Sequence, residues 1–222
     1  MSVIIAVDGP AASGKGTISR RLAKHFHFAH MDSGALYRLT ALAVLEASGD
    51  PTLEADALSG AATIDLSRTG DPAIRTGEIG VAASKVSAIP AVRAALHDYQ
   101  LAFITNPPGD SKGAVMDGRD IGTVIAPHAQ AKLFIEASPE VRAHRRWLEL
   151  SGMGIEKDKT MLLAEILARD EADRTRPISP LRPAGDAALL DTTNLDINAA
   201  FAAALALVSP RVEGALKERH RG

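Results

Sequence analysis

Gly9-Pro10-Ala11-Ala12-Ser13-Gly14-Lys15-Gly16-Thr17 combines residue types that grip phosphate. Phosphate oxygens need several donors at close range. Glycines let backbone N–H groups curl around an anion, and the N-terminus of a following helix adds positive potential. Lys15, directly after Gly14, supplies a mobile charge for the outer phosphates of a nucleoside triphosphate. The spacing is G-x-x-x-x-G-K, which carries meaning when a strand precedes it and a helix follows. Residues 3–7 are apolar and β-branched, and residues 17–26 place Ile18, Leu22 and Phe26 at helical spacing. In the strict pattern a Ser or Thr follows the lysine. Here Gly16 does, and the hydroxyl of Thr17 is displaced by one residue, so direct Mg²⁺ ligation by Thr17 stays open.

Three further clusters carry charge suited to a second phosphorylated molecule. In Asp32-Ser33-Gly34-Ala35-Leu36-Tyr37-Arg38, Ser33 is expected to cap a helix, with Arg38 about one turn in. A guanidinium there can hold a monophosphate in a bidentate fashion, which lysine does poorly. Asp117-Gly118-Arg119-Asp120-Ile121-Gly122-Thr123 follows a buried strand, and ligands in open α/β sheets bind beyond the carboxyl ends of strands. One acid is suited to accept from a base amino group while Arg119 holds phosphate; the competing reading is a tight turn with a local Arg–Asp pair. Arg169, Asp170, Glu171, Asp173, Arg174 and Arg176 form a dense run that reads either as a solvated helix face or as a lid bringing arginines over a transferring phosphoryl group.

Two patterns are set aside. His25, His27 and His30 fall at a helix end and in the strand after it, without carboxylates at ligand spacing, so a structural or surface role is expected. Thr193-Asn194-Leu195-Asp196 echoes a guanine-reading motif, but Leu195 replaces its lysine, and Asp196 reads better as a helix N-cap.

The elements that must position these residues alternate in type. Strands are expected at 3–7, 63–66, 114–116, 131–135 and 188–190. Helices are expected at 17–26, 33–47, 52–62, 77–87, 90–105, 138–150, 160–173 and from Asp196 to about Lys217. Residues 68–80 read as irregular. Such alternation predicts a parallel sheet with helices on both faces. The 222 residues suffice for one good core with a small inserted subdomain.

Composition narrows the class. A hydrophobic fraction of 46%, a charged fraction of 23% and a net charge of −2 suit a soluble globular protein and argue weakly against a dedicated nucleic-acid binder. The absence of cysteine excludes disulfides and thiolate zinc sites and suits the cytosol. No apolar run is expected to reach the ~18–20 residues of a membrane span, and the N-terminus lacks the charged and cleavage regions of a signal peptide.

Together these segments resemble the bacterial cytidylate kinase family. The likeness rests on the phosphate-binding loop from Gly9 to Thr17, on the segments 32–38 and 117–123, on Ala143-His144-Arg145-Arg146 and on Arg176-Pro177-Ile178-Ser179-Pro180-Leu181. The Gly-Lys-Gly-Thr variant is itself closer to nucleoside monophosphate kinases than to GTPases or motor ATPases. The resemblance implies a P-loop NTPase fold of the nucleoside monophosphate kinase type, with a reduced acceptor-binding insert at 63–105 and a helical lid at 151–176 within one kinase domain. It implies transfer of the γ-phosphoryl of Mg·ATP to CMP and dCMP in a cytoplasmic monomer without nucleic-acid or membrane partners.

The resemblance also assigns roles. Gly9, Pro10, Ala11, Ala12, Ser13, Gly14, Lys15, Gly16 and Thr17 would hold ATP, with Arg145 or Arg146 near its adenine. Ser84, Arg93 and Asp120 would read cytosine, beside Ser33 and Tyr37. Arg38, Arg119 and Arg176 would hold the acceptor phosphate and transferred group, and Arg169 and Asp173 the ribose. Lys15, Asp117, Arg119 and Arg176 would form the catalytic set. Mg²⁺ would be held mainly through the nucleotide.

Two departures stand out. The region 64–79 is shorter than in longer relatives, leaving a stub around Asp71-Pro72-Ala73-Ile74-Arg75, so CMP-versus-dCMP preference stays open. Ala12 replaces a glycine common in the loop, which implies a position without positive φ. The competing functions are a kinase for another monophosphate such as UMP and, from a different class, a nucleotide-dependent switch.

Overall fold

The computed structural model describes residues 2–219. They form two compact units. One comprises the chain up to Met31 and from Asn106 onward; the other is Asp32–Thr105.

The first unit is built on a sheet of β1 (Val3–Asp8), β2 (Ala29–Asp32), β3 (Gly113–Gly118), β4 (Ala131–Glu136) and β5 (Ala188–Asp191), in the order β2-β3-β1-β4-β5. β1 pairs in parallel with β3 and with β4, and β4 with β5. In register, Asp8 stands beside Gly118 on one side and Phe134 on the other. Thus the strand that feeds the phosphate-binding loop ends level with the strand that feeds the Asp117–Thr123 loop. A parallel sheet makes this arrangement natural, because all carboxyl ends lie at one edge.

Val3, Ile5, Val7, Val115, Leu133 and Ile135 face a core completed by Ile18 and Leu22 of α1 (Lys15–Phe26) and by Ala200, Ala204, Val208 and Val212 of α8 (Ile197–Arg219). The alternate residues Ala6, Ala114 and Met116 are fully buried as well, so both faces of the central strands are covered. That explains why β1 and β3 are continuous apolar runs rather than alternating ones. α6 (Pro139–Gly152) starts with Ser138 accepting from Val141 N at 3.3 Å and with Pro139 in its first turn; α7 (Lys159–Thr175) starts with Asp158 accepting from Thr160 and Met161.

The second unit is helical: α2 (Ser33–Glu46), α3 (Glu54–Ala62), α4 (Gly77–Ala88) and α5 (Pro90–Thr105). Here the sequence reading needs correction. The segment expected as a strand at 63–66 is none; a tight helical turn, Leu66–Gly70, follows instead, with Asp65 accepting from Ser67 N, and a second turn covers Pro72–Arg75. Too few apolar positions are available there for a strand to be buried, and Asp side chains satisfy the backbone locally. The stub is organised rather than irregular: Arg68 pairs with Glu46 at 2.9 and 3.0 Å and with Asp71 at 2.9 and 3.1 Å. The α2 N-cap position belongs to Asp32, not Ser33, and shows no side-chain cap bond; Ser33 is already helical and is buried.

α8 also departs from expectation. It is long and apolar enough for a membrane span by length and composition, with a mean hydropathy of 1.4 over its most apolar stretch. Its buried stripe of Ala200, Ala204, Val208 and Val212 packs on the sheet. Asp196 accepts from Asn198 N and Ala199 N at 2.8 Å, the N-cap role read from the sequence.

Candidate active site

The phosphate-binding loop runs from the end of β1 into α1. Gly9 adopts φ 152, and a Cβ there would lie 2.0 Å from the carbonyl oxygen of Ile135, so only glycine fits. Gly14, at φ 89, closes the loop before Lys15 opens the helix. Ala12 overturns the expectation drawn from its side chain: its φ is 58, so the left-handed conformation is kept even with a Cβ present. The curl of the loop is a geometric demand of its neighbours, and alanine pays a strain that glycine would not.

The loop is held from beneath by Arg142 and Thr192, which the sequence reading missed, together with Arg145. Arg142 on α6 is 1% exposed. It donates to Ala11 O at 3.2 Å and Ala137 O at 2.8 Å, and its guanidinium grips Asp170 of α7 at 3.0 and 2.5 Å. Thr192 Oγ1 donates to Ser13 O at 3.2 Å. Arg145 donates to Ser13 O at 3.3 Å and to Thr192 O at 2.7 Å. The notice given in sequence was slight: Arg142 stands three residues before Arg145 on one helix, but nothing in its type marks it as buried. Lys15 Nζ donates to Pro10 O at 3.2 Å, across the mouth of the loop.

Beside the loop lies a cavity of about 530 Å³. It is lined by Ala12, Gly14 and Thr17 on the loop side and by Arg145, Arg146 and Leu195 opposite. Both arginines left open by the sequence therefore reach it: Arg145 is fixed by Thr192 and Ser13, while Arg146 pairs with Glu149 at 2.7 Å. Burial pulls the Arg145 guanidinium below its ordinary pKa, partly countered by Asp191.

At the end of β3, Asp117 is 2% exposed. Its Oδ1 meets Nε2 of His30 at 2.7 Å, and Oδ2 lies 3.7 Å from where a Cβ on Gly16 would stand. His30 thus has a defined partner in Asp117, a residue assigned above to the catalytic set. Among the described residues no group of three or more His, Cys, Asp or Glu side chains could hold a metal ion by itself. One buried carboxylate next to a phosphate-binding loop is nevertheless the donor set that suits Mg²⁺, which keeps several waters and takes the rest of its shell from substrate phosphates.

The following loop makes one turn of π-type helix, Ile121–Ile125, with Ala126 N donating to Ile121 O at 2.7 Å. Such turns recur at functional sites. Arg119 Nε donates to Asp173 Oδ2 at 2.8 Å, and Arg176 Nη2 stands 4.0 Å from Asp120 Oδ1. These pairs reach 54 residues along the chain from Arg119 to Asp173 on α7, and from Asp120 to Arg176 just past its end. Burial opposes the charge on Asp173, but the Arg119, Arg169 and Arg176 guanidinia outweigh it and hold the carboxyl below its ordinary value. A further acid was missed: Asp8, at the end of β1, accepts from Ile121 N at 2.8 Å and Gly122 N at 2.7 Å.

In the helical unit, Arg93 is 8% exposed, donates to Ser87 O at 3.3 Å and lies 5.5 Å from the Tyr37 ring centre. Ser84 O accepts from Ser87 Oγ at 2.9 Å, and Arg38 donates to Ile74 O at 2.8 Å. Tyr37, Ser84, Arg93 and Arg38 thus belong to one compact unit, tied to the residue stub through Ile74.

Comparison with known proteins agrees with this construction. The family described as Cytidylate kinase matches residues 5–209. The cytidylate kinase of Nitrobacter winogradskyi is 54% identical over 206 residues, covering 93% of this chain and 95% of the relative. That of Afipia carboxidovorans is 52% identical, covering 93% and 97%. Among solved structures, an uncharacterized protein from Eubacterium ventriosum shares the fold with a TM-score of 0.54 and 13% identity, covering 94% of this chain and 99% of that one. The chain belongs to the cytidylate kinase family and is an ATP-dependent phosphotransferase.

Proposed function

We propose that the protein transfers the γ-phosphoryl of ATP to CMP, and to dCMP, giving ADP and the cytidine diphosphate. The observation that carries this is the juxtaposition, at one sheet edge, of a phosphate-binding loop with Lys15 and a second loop bearing Asp117, Arg119 and Asp120. ATP is assigned to the loop from Gly9 to Thr17, its adenine to the cavity beside Arg145 and Arg146. In the helical unit, Asp32–Thr105, Ser33, Tyr37, Arg38, Ser84 and Arg93 are assigned to the acceptor. In the sheet unit, Asp120 is assigned to cytosine, Arg119 and Arg176 to phosphate, and Arg169 and Asp173 to ribose.

Mg²⁺ bound to the ATP phosphates would neutralise charge and be held on the protein side by Asp117, with the Thr17 hydroxyl as a further donor. The residues themselves do little proton chemistry. Lys15 aligns the outer phosphates, and Arg119 and Arg176 neutralise the charge that spreads over the transferring group. The segment 151–176 is assigned as a lid that shields this step from water. A cytoplasmic location fits the absence of cysteine, and the protein is assigned as a monomer acting on small nucleotides. Asp120→Asn tests the base-reading role: it is expected to raise KM for CMP while leaving KM for ATP close to wild type. Equal losses with every acceptor would remove Asp120 from base recognition.

A further inference from the structure

Asp8 is 4% exposed, carries a carboxylate and has no place among the substrate contacts assigned above. Its two oxygens accept from the consecutive amides of Ile121 and Gly122, at 2.8 and 2.7 Å. Those amides open the π-type turn, whose first carbonyl, that of Asp120, is bonded by Val124 N at 2.8 Å. A buried carboxylate bound to two backbone N–H groups is a strong and directional link. The packing is close on the far side as well. A Cβ on Gly122 would stand 3.3 Å from Asp8 Oδ2 and 3.2 Å from Cδ of Lys132. Lys132 is itself fixed by Pro127 O at 2.6 Å and Asp186 Oδ1 at 2.8 Å. The charges of Asp120 and Lys15 both act on Asp8, which places it between the two loops that the reaction needs.

We propose that Asp8 is a positioning residue for acceptor recognition: from the end of the ATP-loop strand it holds the Ile121 and Gly122 amides and so fixes the orientation of Arg119 and Asp120. The link is rigid because its base is a sheet strand and its partner is backbone. Asn cannot replace it. An amide offers one acceptor oxygen, and its NH₂ would face the second N–H, donor against donor. Losing that bond frees the turn on which Arg119 and Asp120 are mounted. The Asp8 oxygens bond the amides of Ile121 and Gly122, while Lys15 Nζ donates to Pro10 O at 3.2 Å, so the variant is expected to act on the acceptor loop more than on ATP.

The inference rests on CMP being the acceptor, and the test separates the two claims. Asp8→Asn is compared with wild type in steady-state kinetics, with a thermal melt to establish folding, and in amide exchange of the nucleotide-free protein. The expected result is a tenfold or larger rise in KM for CMP, KM for ATP within twofold, and at least tenfold faster exchange at Ile121 and Gly122. Gly122→Ala, which crowds the same carboxylate without removing it, should shift KM for CMP in the same direction if Asp8→Asn does not fold. A matching rise in KM for ATP, or unchanged exchange at the two amides, overturns the proposal. If wild type does not phosphorylate CMP, the substrate reading fails, and the exchange measurement still decides whether Asp8 holds the turn.

Discussion

Arg119 Nε stands 2.8 Å from Asp173 Oδ2, so the arginine assigned to the acceptor phosphate is paired with the carboxylate assigned to the ribose. The pair joins the loop after β3 to α7 and is largely shielded, with side-chain exposures of 16% and 6%. Hydrogen bonds to charged groups in such settings are worth about 1.5–3 kcal/mol.

Asp173→Asn is therefore expected to cost about 2 kcal/mol of stability at neutral pH. The folded carboxyl is held below its ordinary value, so its contribution is fully present above the unfolded pKa of about 3.9 and is lost as pH falls through the lower folded value. Urea unfolding of wild type and variant between pH 3 and pH 7 checks this. The difference between them should shrink only at the acid end, and a difference independent of pH would contradict the assignment.

Asp8 behaves in the opposite sense. Burial, with Asp120 adding to it, pushes its carboxyl up to about 6 against the opposing pull of the Gly122 and Ile121 amides and of Lys15. Between about pH 4 and pH 6 the native state then holds a proton that the unfolded chain has released, so this group's contribution to stability falls as pH rises through that window. The fall is at most about 3 kcal/mol. Relative to Asp8→Asn, wild type should lose stability across that range in chemical unfolding; parallel curves would show that the carboxyl titrates as in water.

Arg142 is the buried cation beneath the phosphate-binding loop, and its removal strands Asp170, which is 3% exposed. Arg142→Met should destabilise by about 3–5 kcal/mol, the cost of leaving one partner of a buried pair uncompensated. Removing both charges together, as Arg142→Met with Asp170→Leu, should recover most of that loss. A double variant no more stable than the single one would mean that Arg142 acts through Ala11 and Ala137 alone.

Ala12 offers a gain. Its left-handed φ of 58 costs roughly 1–2 kcal/mol relative to glycine, and the added freedom of an unfolded glycine returns about half of that. Ala12→Gly is expected to raise stability by about 0.5–1 kcal/mol with ATP binding intact. A measured destabilisation would show that the methyl group makes packing contacts worth more than the strain.

Much of this was legible in the sequence, and the boundary falls along physical lines. Continuous apolar runs announced β1, β3 and β4, and side-chain caps announced α6 and α8, because burial and local hydrogen bonding leave marks in residue type. The 63–66 stretch misled because a few apolar letters look like a strand until the turn chemistry of Asp65 and Asp71 is weighed. Ala12 misled because side-chain identity was taken as evidence of backbone conformation, when the loop's neighbours dictate it. Asp8 and Arg142 were missed because each has key partners far along the chain, 113 residues away for Asp8 and Ile121 and 131 for Arg142 and Ala11, and no local spacing encodes that.

The central claim is the identity of the acceptor. ADP release from Mg·ATP, measured with CMP, dCMP, UMP, AMP and GMP in parallel, tests it most directly. The account predicts that CMP and dCMP are the best acceptors, with the others far behind. Poor transfer to both CMP and dCMP, with good transfer to another monophosphate or hydrolysis without transfer, would contradict it.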